Sequence, residues 1–314
     1  MSQSTFSNPV YAQNFPDPFI MQDGSTFYAY ATHSSPEGFQ VLTSKDLVNW
    51  TPKKPVGKPS WSNDQLWAPE IYHHNGKWYL FFSALNHQTN KRDLAVSVAN
   101  SPLGPFSDYA ILVTGASENH ESSQDGAIDP TVYFEGDHAY LLYIREAPPR
   151  SLKMVKLAKD FSGTEGSATE LIYADQESER GILDAPTLIK HGGIYNIIYS
   201  SGWFQSLKKD ACYRVMCAES SSLLGPYVKS RRPILETKIG ETYSPGHQTI
   251  FQLASGEWWM GYHGWNADGE PMYGQNKLGR TLRIDRLIWT KHGPTVMGPS
   301  LTSQPMPGVS GAAR

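Results

Sequence analysis

The sequence predicts an all-β fold, a five-bladed β-propeller with four antiparallel strands per blade. Three observations predict it. One pattern recurs five times, in each copy an acid or histidine beside Pro or Gly, then a short apolar run, a Gly-bearing turn and an aromatic strand. A second, weaker pattern follows four of the copies, and no stretch has a sustained helical period. The period of the main pattern is roughly fifty to sixty residues, which is the spacing of propeller blades.

The copies read FPDPFIMQDGSTFYAYAT (15–32), WAPEIYHHNGKWYLFFSA (67–84), IDPTVYFEGDHAYLLYI (128–144), LDAPTLIKHGGIYNIIYS (183–200) and SPGHQTIFQLASGEWWMGYH (244–263). Each turns at Asp23-Gly24, Asn75-Gly76, Gly136-Asp137, Gly192-Gly193 or Ser255-Gly256. Asn-Gly and Asp-Gly between apolar runs are strong hairpin signals, so each copy supplies the two inner strands of a blade. The weaker pattern, VLTSKDLVNWTP (41–52), VANSPLGPFSD (98–108), LAKDFSGTE (157–165) and CAESSSLLGPYVK (217–229), supplies the outer strands. KLGRTLRIDRLIW (277–289) is expected as the last strand of blade five, with residues near Phe6 to Tyr11 pairing with it to close the ring. Residues 1–297 then form one domain, and the Gly/Pro/Ser-rich segment 298–314 is expected to be a flexible tail.

Composition narrows the function. The 314 residues carry a net charge of −3 and no run of Lys or Arg longer than a pair. Nucleic-acid binding is therefore not expected. No apolar stretch approaches the length of a membrane span. The N-terminal segment MSQSTFSNPVYAQ has no secretory pattern, so the chain is expected to be cytoplasmic as written, or secreted with a leader removed. Cys212 and Cys217, five apart on one strand, would face opposite sides and are not expected to pair.

At these motifs the chain resembles glycoside hydrolase family 43, the five-bladed inverting arabinofuranosidases, xylosidases and arabinanases. The pieces are FPDP at 15–18, WAPE at 67–70, IDP at 128–130, LDAP at 183–186, PGH at 245–247 and GRTLRIDRLIW at 279–289. The resemblance implies that Asp17 is the general base, that Asp129 tunes and orients the acid, and that Asp184 holds the acid position. It implies that His247 orders a calcium ion, mostly through water, and that Arg280 reaches the pocket. The family's acid is normally glutamate, whereas here it is aspartate, about 1.5 Å shorter. Three readings of that departure stand: a native enzyme adapted to aspartate, an engineered slow variant, or a non-catalytic relative.

Inverting hydrolysis needs a base to activate water on one face of the sugar and an acid on the other, about 6.5–9.5 Å apart. A third carboxylate near the acid raises its pKa. Inner strands that start on opposite sides of a hub can supply that gap. Trp67 is a candidate sugar platform, and Trp203, Phe204 and Trp265 are candidates to line subsites. Glu70 follows its proline at a different offset, so strand alternation assigns it a structural place. His33, His73, His74, His87 and His263 share no spacing with carboxylates and suggest no catalytic zinc.

The leading expectation is an exo-acting α-L-arabinofuranosidase on arabinan or arabinoxylan side chains, with β-xylosidase on xylo-oligosaccharides as the alternative within the class. A non-hydrolytic sugar-binding propeller is the alternative of another class. The retaining fructosidases fit poorly, because Ala185 stands where they carry cysteine beside the acid and Ile128 where they carry arginine.

Overall fold

The computed structural model describes residues 4–205, 210–266 and 279–309. Five four-stranded antiparallel meanders follow one another along the chain. Blade one is Phe19–Asp23, Thr26–Ser35, Gly38–Ser44 and Trp50–Pro52. Blade two is Trp67–His74, Lys77–Asn86, Lys91–Ala99 and Ser107–Val113. Blade three is Ala127–Glu135, His138–Arg145, Ser151–Leu157 and Thr164–Tyr173. Blade four is Leu183–His191, Ile194–Ser201, Arg214–Ser220 and Val228–Lys229. Blade five is Thr242–Gln252, Trp258–Asn266, Thr281–Thr290 and Gly293–Val296.

The inner hairpins turn where the sequence marks them. Asn75 and Gly76 both have positive φ, at 48° and 74°, as a two-residue turn matched to strand twist requires. The alternating apolar residues of neighbouring blades face each other. They form five clusters, one between each pair of adjacent blades, for example Phe81, Leu94 and Leu141 between blades two and three. Cys212 and Cys217 are both buried and are not joined in a disulfide. Among the described residues, no helix is long and apolar enough to cross a membrane.

Two expectations about the ends need correction. The strand Thr281–Thr290 is third in blade five, not last, because Gly293–Val296 pairs outside it. Its inner half is joined on the free edge by the N-terminal segment: Tyr11 bridges Leu282, and Asn8 exchanges side-chain hydrogen bonds with Ile284 at 2.8 and 3.0 Å. The segment from Gly298, expected as a loose tail, is held in place as far as residue 309. Ser300 bonds Asp285, Gln304–Pro305 pairs with Thr5–Phe6, and Met306 and Val309 pack on the core between blades five and one. The reason is mutual burial of the two chain ends, which composition alone does not reveal. Residues 310–314 lie outside the described residues.

Candidate active site

The inner strands of blades two to five are bulged at their openings. In blades two, three and four, two residues oppose one: Ala68-Pro69, Asp129-Pro130 and Ala185-Pro186 are the extra pairs. The first residue of each pair is left-handed, with φ of 47°, 56° and 51°, and Asp17 and His247 share that conformation at 57° and 50°. A bulge re-aims side chains, and non-glycine residues held at positive φ cluster at functional sites. Asp17, Asp129 and His247 thus occupy the same local position in three different blades. Asp184 stands one residue earlier, the position of Trp67 and Ile128. Simple strand alternation fails across the bulge, so the offset of Asp184 does not turn it away from the other acids.

Asp17 is enclosed by the Arg280 guanidinium, the Thr32 hydroxyl and two imidazole rings. Arg280 Nη1 donates to its Oδ1 at 2.8 Å and Thr32 Oγ1 to its Oδ2 at 2.5 Å. His247 Nδ1 and His263 Nδ1 lie 3.3 and 3.4 Å from Oδ1. Burial would raise the pKa of this carboxyl, but Arg280, His247 and His263 together hold it well below the usual carboxylate range. Asp17 is therefore ionised at neutral pH. Burial, and then Arg280, push His263 down to about 3, so it is a neutral ring whose Nδ1 accepts the Asp17 backbone N–H at 3.1 Å.

Asp184 has the opposite environment. Burial is the largest influence on it; Arg150 pulls its pKa down, Asp129 pushes it up, and the balance stands at about 7. Arg150 Nη1 donates to its Oδ1 at 2.7 Å and the Tyr213 hydroxyl to its Oδ2 at 3.3 Å. Asp129 is also raised to about 7, by burial first; the Ala185 N–H, 2.8 Å from its Oδ2, lowers it, and Asp17 raises it. Such neighbours titrate as a pair.

Tyr213 joins the two halves. Its hydroxyl faces Asp184, and its ring lies 5.8 Å from that of His263 with an interplanar angle of 4°. Gly246 makes room for it, since a Cβ there would stand 2.3 Å from the Tyr213 ring. Ser200 and Gln248 lock the strand beneath: Ser200 Oγ receives the His247 N–H at 2.8 Å and donates to Gln248 Oε1 at 2.9 Å.

The remaining expected residues separate into walls and interior. Arg280 lies 4.6 Å over the Phe204 ring, and Phe204 packs against Trp203, which is 46% exposed. Those three form one side of the site. Trp67 carries Arg92 over its ring at 5.0 Å. Trp265 is buried and donates to the Phe204 carbonyl, so it supports the wall from inside instead of lining a subsite. Glu70 accepts the Tyr72 hydroxyl, and burial raises it to about 8. Asp129 is among the groups acting on it, so it stands closer to the acids than strand alternation implied.

His247 is a poor fit to calcium. The ion takes six to eight oxygens, and the near carboxylate, Asp17, is already engaged by Arg280 and Thr32. Among the described residues no three His, Cys, Asp or Glu side chains are grouped to hold a metal.

Sequence reasoning missed His263, Thr32, Ser200, Tyr213 and Arg150. A signal existed for three of them. His263, Thr32 and Ser200 close the inner hairpin in their own blades, opposite Gly246, Pro16 and Asp184. Each is the polar residue at the last position of its repeat, just after the aromatic run of its strand.

The sequence profile described as glycosyl hydrolases family 43 matches residues 6–294. An extracellular endo-α-(1→5)-L-arabinanase of Bacillus subtilis is 28% identical over 77% of this chain and 73% of its own length. The extracellular exo-α-(1→5)-L-arabinofuranosidase ArbA of Cellvibrio japonicus is 28% identical over 68% of this chain and 65% of its own, so this chain spans just under two thirds of that relative. A solved thermostable family-43 glycoside hydrolase superposes with a TM-score of 0.82 at 26% identity, covering 96% of this chain and 99% of the other.

Proposed function

The chain belongs to glycosyl hydrolases family 43, and from that premise we propose that it hydrolyses α-L-arabinofuranosides with inversion, from the ends of arabinan or the side chains of arabinoxylan. The observation that carries the proposal is the division of protonation. Asp17 is held ionised, while burial raises Asp184 and Asp129 to about 7.

In this reading the Asp17 carboxylate takes a proton from a water as that water attacks the anomeric carbon. The glycosidic C–O bond breaks, and the Asp184 carboxyl gives its proton to the leaving oxygen. One proton arrives on Asp17 as one leaves Asp184, so exchange with solvent resets the pair. Asp129 keeps that proton available by being a nearby negative charge when Asp184 holds it. Trp203, Phe204 and Arg280 contact the sugar from one side and Trp67 from another.

Asp17→Ala should abolish turnover while the far-ultraviolet spectrum keeps the strand signature of the parent. NMR of the first product formed should show the anomeric configuration inverted, and retention would overturn the scheme. Rates on nitrophenyl α-L-arabinofuranoside and β-D-xyloside test the sugar; a faster xyloside makes the protein a β-xylosidase.

A further inference from the structure

The acid position is gripped by a strap of charged side chains that crosses three blades, and nothing in the mechanism above uses it. Arg150 lies between His138–Arg145 and Ser151–Leu157 of blade three. Its Nη1 is 2.7 Å from Asp184 Oδ1, and its Nη2 is 3.5 Å from Glu146 Oε1. Glu146, 4% exposed, accepts Nε and Nη2 of Arg92 at 2.7 and 2.9 Å and the Gly126 N–H at 3.0 Å. Arg92 is fixed further by Gln65 and Asp125, both at 2.8 Å. A bidentate arginine–carboxylate pair has a defined geometry, so the strap transmits a fixed position from blade two to the mouth of blade four.

We infer that Arg150, held by Glu146 and Arg92, is the positioning residue that sets where the Asp184 carboxyl delivers its proton. The inference rests on Asp184 being the acid. Aspartate is a short side chain, and the reach it lacks must be made up by fixing its carboxyl in one orientation. Arg150 occupies Oδ1 at 2.7 Å, which leaves Oδ2, in the longer 3.3 Å contact with the Tyr213 hydroxyl, to carry the proton. The other charged groups acting on Asp184 are Asp129 and Glu146 from blade three and His247 from blade five. None of these donates a hydrogen bond to Oδ1.

The test separates proton delivery from general damage by varying the leaving group. A 2,4-dinitrophenolate leaves without protonation, whereas methoxide needs the acid. Parent, Arg150→Met, Arg150→Lys, Glu146→Gln and Asp184→Asn proteins are assayed on dinitrophenyl and methyl glycosides of whichever pentose the parent prefers. A displacement of about 1 Å can cost on the order of a hundredfold. Arg150→Met should therefore lose about a hundredfold on the methyl glycoside and less than about tenfold on the dinitrophenyl one. Glu146→Gln should show the same preference more weakly, and Arg150→Lys should recover part of the loss.

Equal losses of Arg150→Met on both substrates would reduce Arg150 to a structural ion pair and overturn the inference. If Arg150→Met fails to fold, the ratio is read from Arg150→Lys and Glu146→Gln, and an unchanged ratio in both overturns it equally. Asp184→Asn is the control for the premise. If it shows no leaving-group discrimination, the acid assignment fails; if it does and the Arg150 and Glu146 variants do not, only the positioning role fails.

Discussion

Replacing Arg280 by methionine removes the cation that holds the base ionised. The guanidinium sits 2.8 Å from Asp17 Oδ1, and both side chains are 12% exposed. At a separation of about 4 Å between charge centres and an effective dielectric of about 20, the interaction is worth ~4 kcal/mol. His247 and the Thr32 hydroxyl remain and keep part of the effect. A third of that figure is enough to move the titration by roughly one pH unit. A base works when ionised, so its contribution is present above its folded pKa and is lost as pH falls through it. Arg280 lowers that pKa, so its removal raises it. The acid limb of kcat/KM should therefore move to higher pH by about one unit or more. Arg280→Lys restores the charge without the flat stack over Phe204 and should return most of the limb. Loss of a sugar contact would scale kcat/KM evenly at all pH values, so the two effects separate in one profile. An acid limb that stays put in Arg280→Met would mean that Asp17 is not the group whose ionisation limits the reaction.

The parent enzyme should lose kcat as pH rises through about 7, because burial raises Asp184 to that value and the acid is active only while protonated; an alkaline limb at pH 4–5 in a kcat profile would contradict this. Away from the site, Lys229→Met strands Glu179, which has 0% side-chain exposure and meets the Lys229 ammonium at 2.8 Å. Removing one partner of a buried pair costs about 3–5 kcal/mol, so calorimetry should show a melting temperature several degrees lower, and a shift under one degree would show that water reaches Glu179.

Much of the fold was legible because a propeller repeats its instructions. The hairpin turns, the aromatic strands and the X-Pro openings are local signals, and local signals survive without knowledge of the partner strand. The same holds for Asp17 and Asp129, whose Asp-Pro steps mark the bulge that turns them inward. Glu70 and Asp184 show where this stops. Glu70 was read by its offset from a proline, and the bulge breaks the alternation that reading used; Asp184 sits beside the equivalent bulge in blade four.

The chain by itself determined the number of blades and the places where they open, because these depend on neighbours a few residues away. Tertiary structure alone decided the strap from Arg92 to Asp184, the stacking of Tyr213 on His263 and the anchoring of both chain ends. Those contacts join residues 34 positions apart in the case of Arg150 and Asp184 and 263 apart in the case of Asp17 and Arg280. Their protonation states are set by shared burial and opposing charge, and these exist only once the ring has closed.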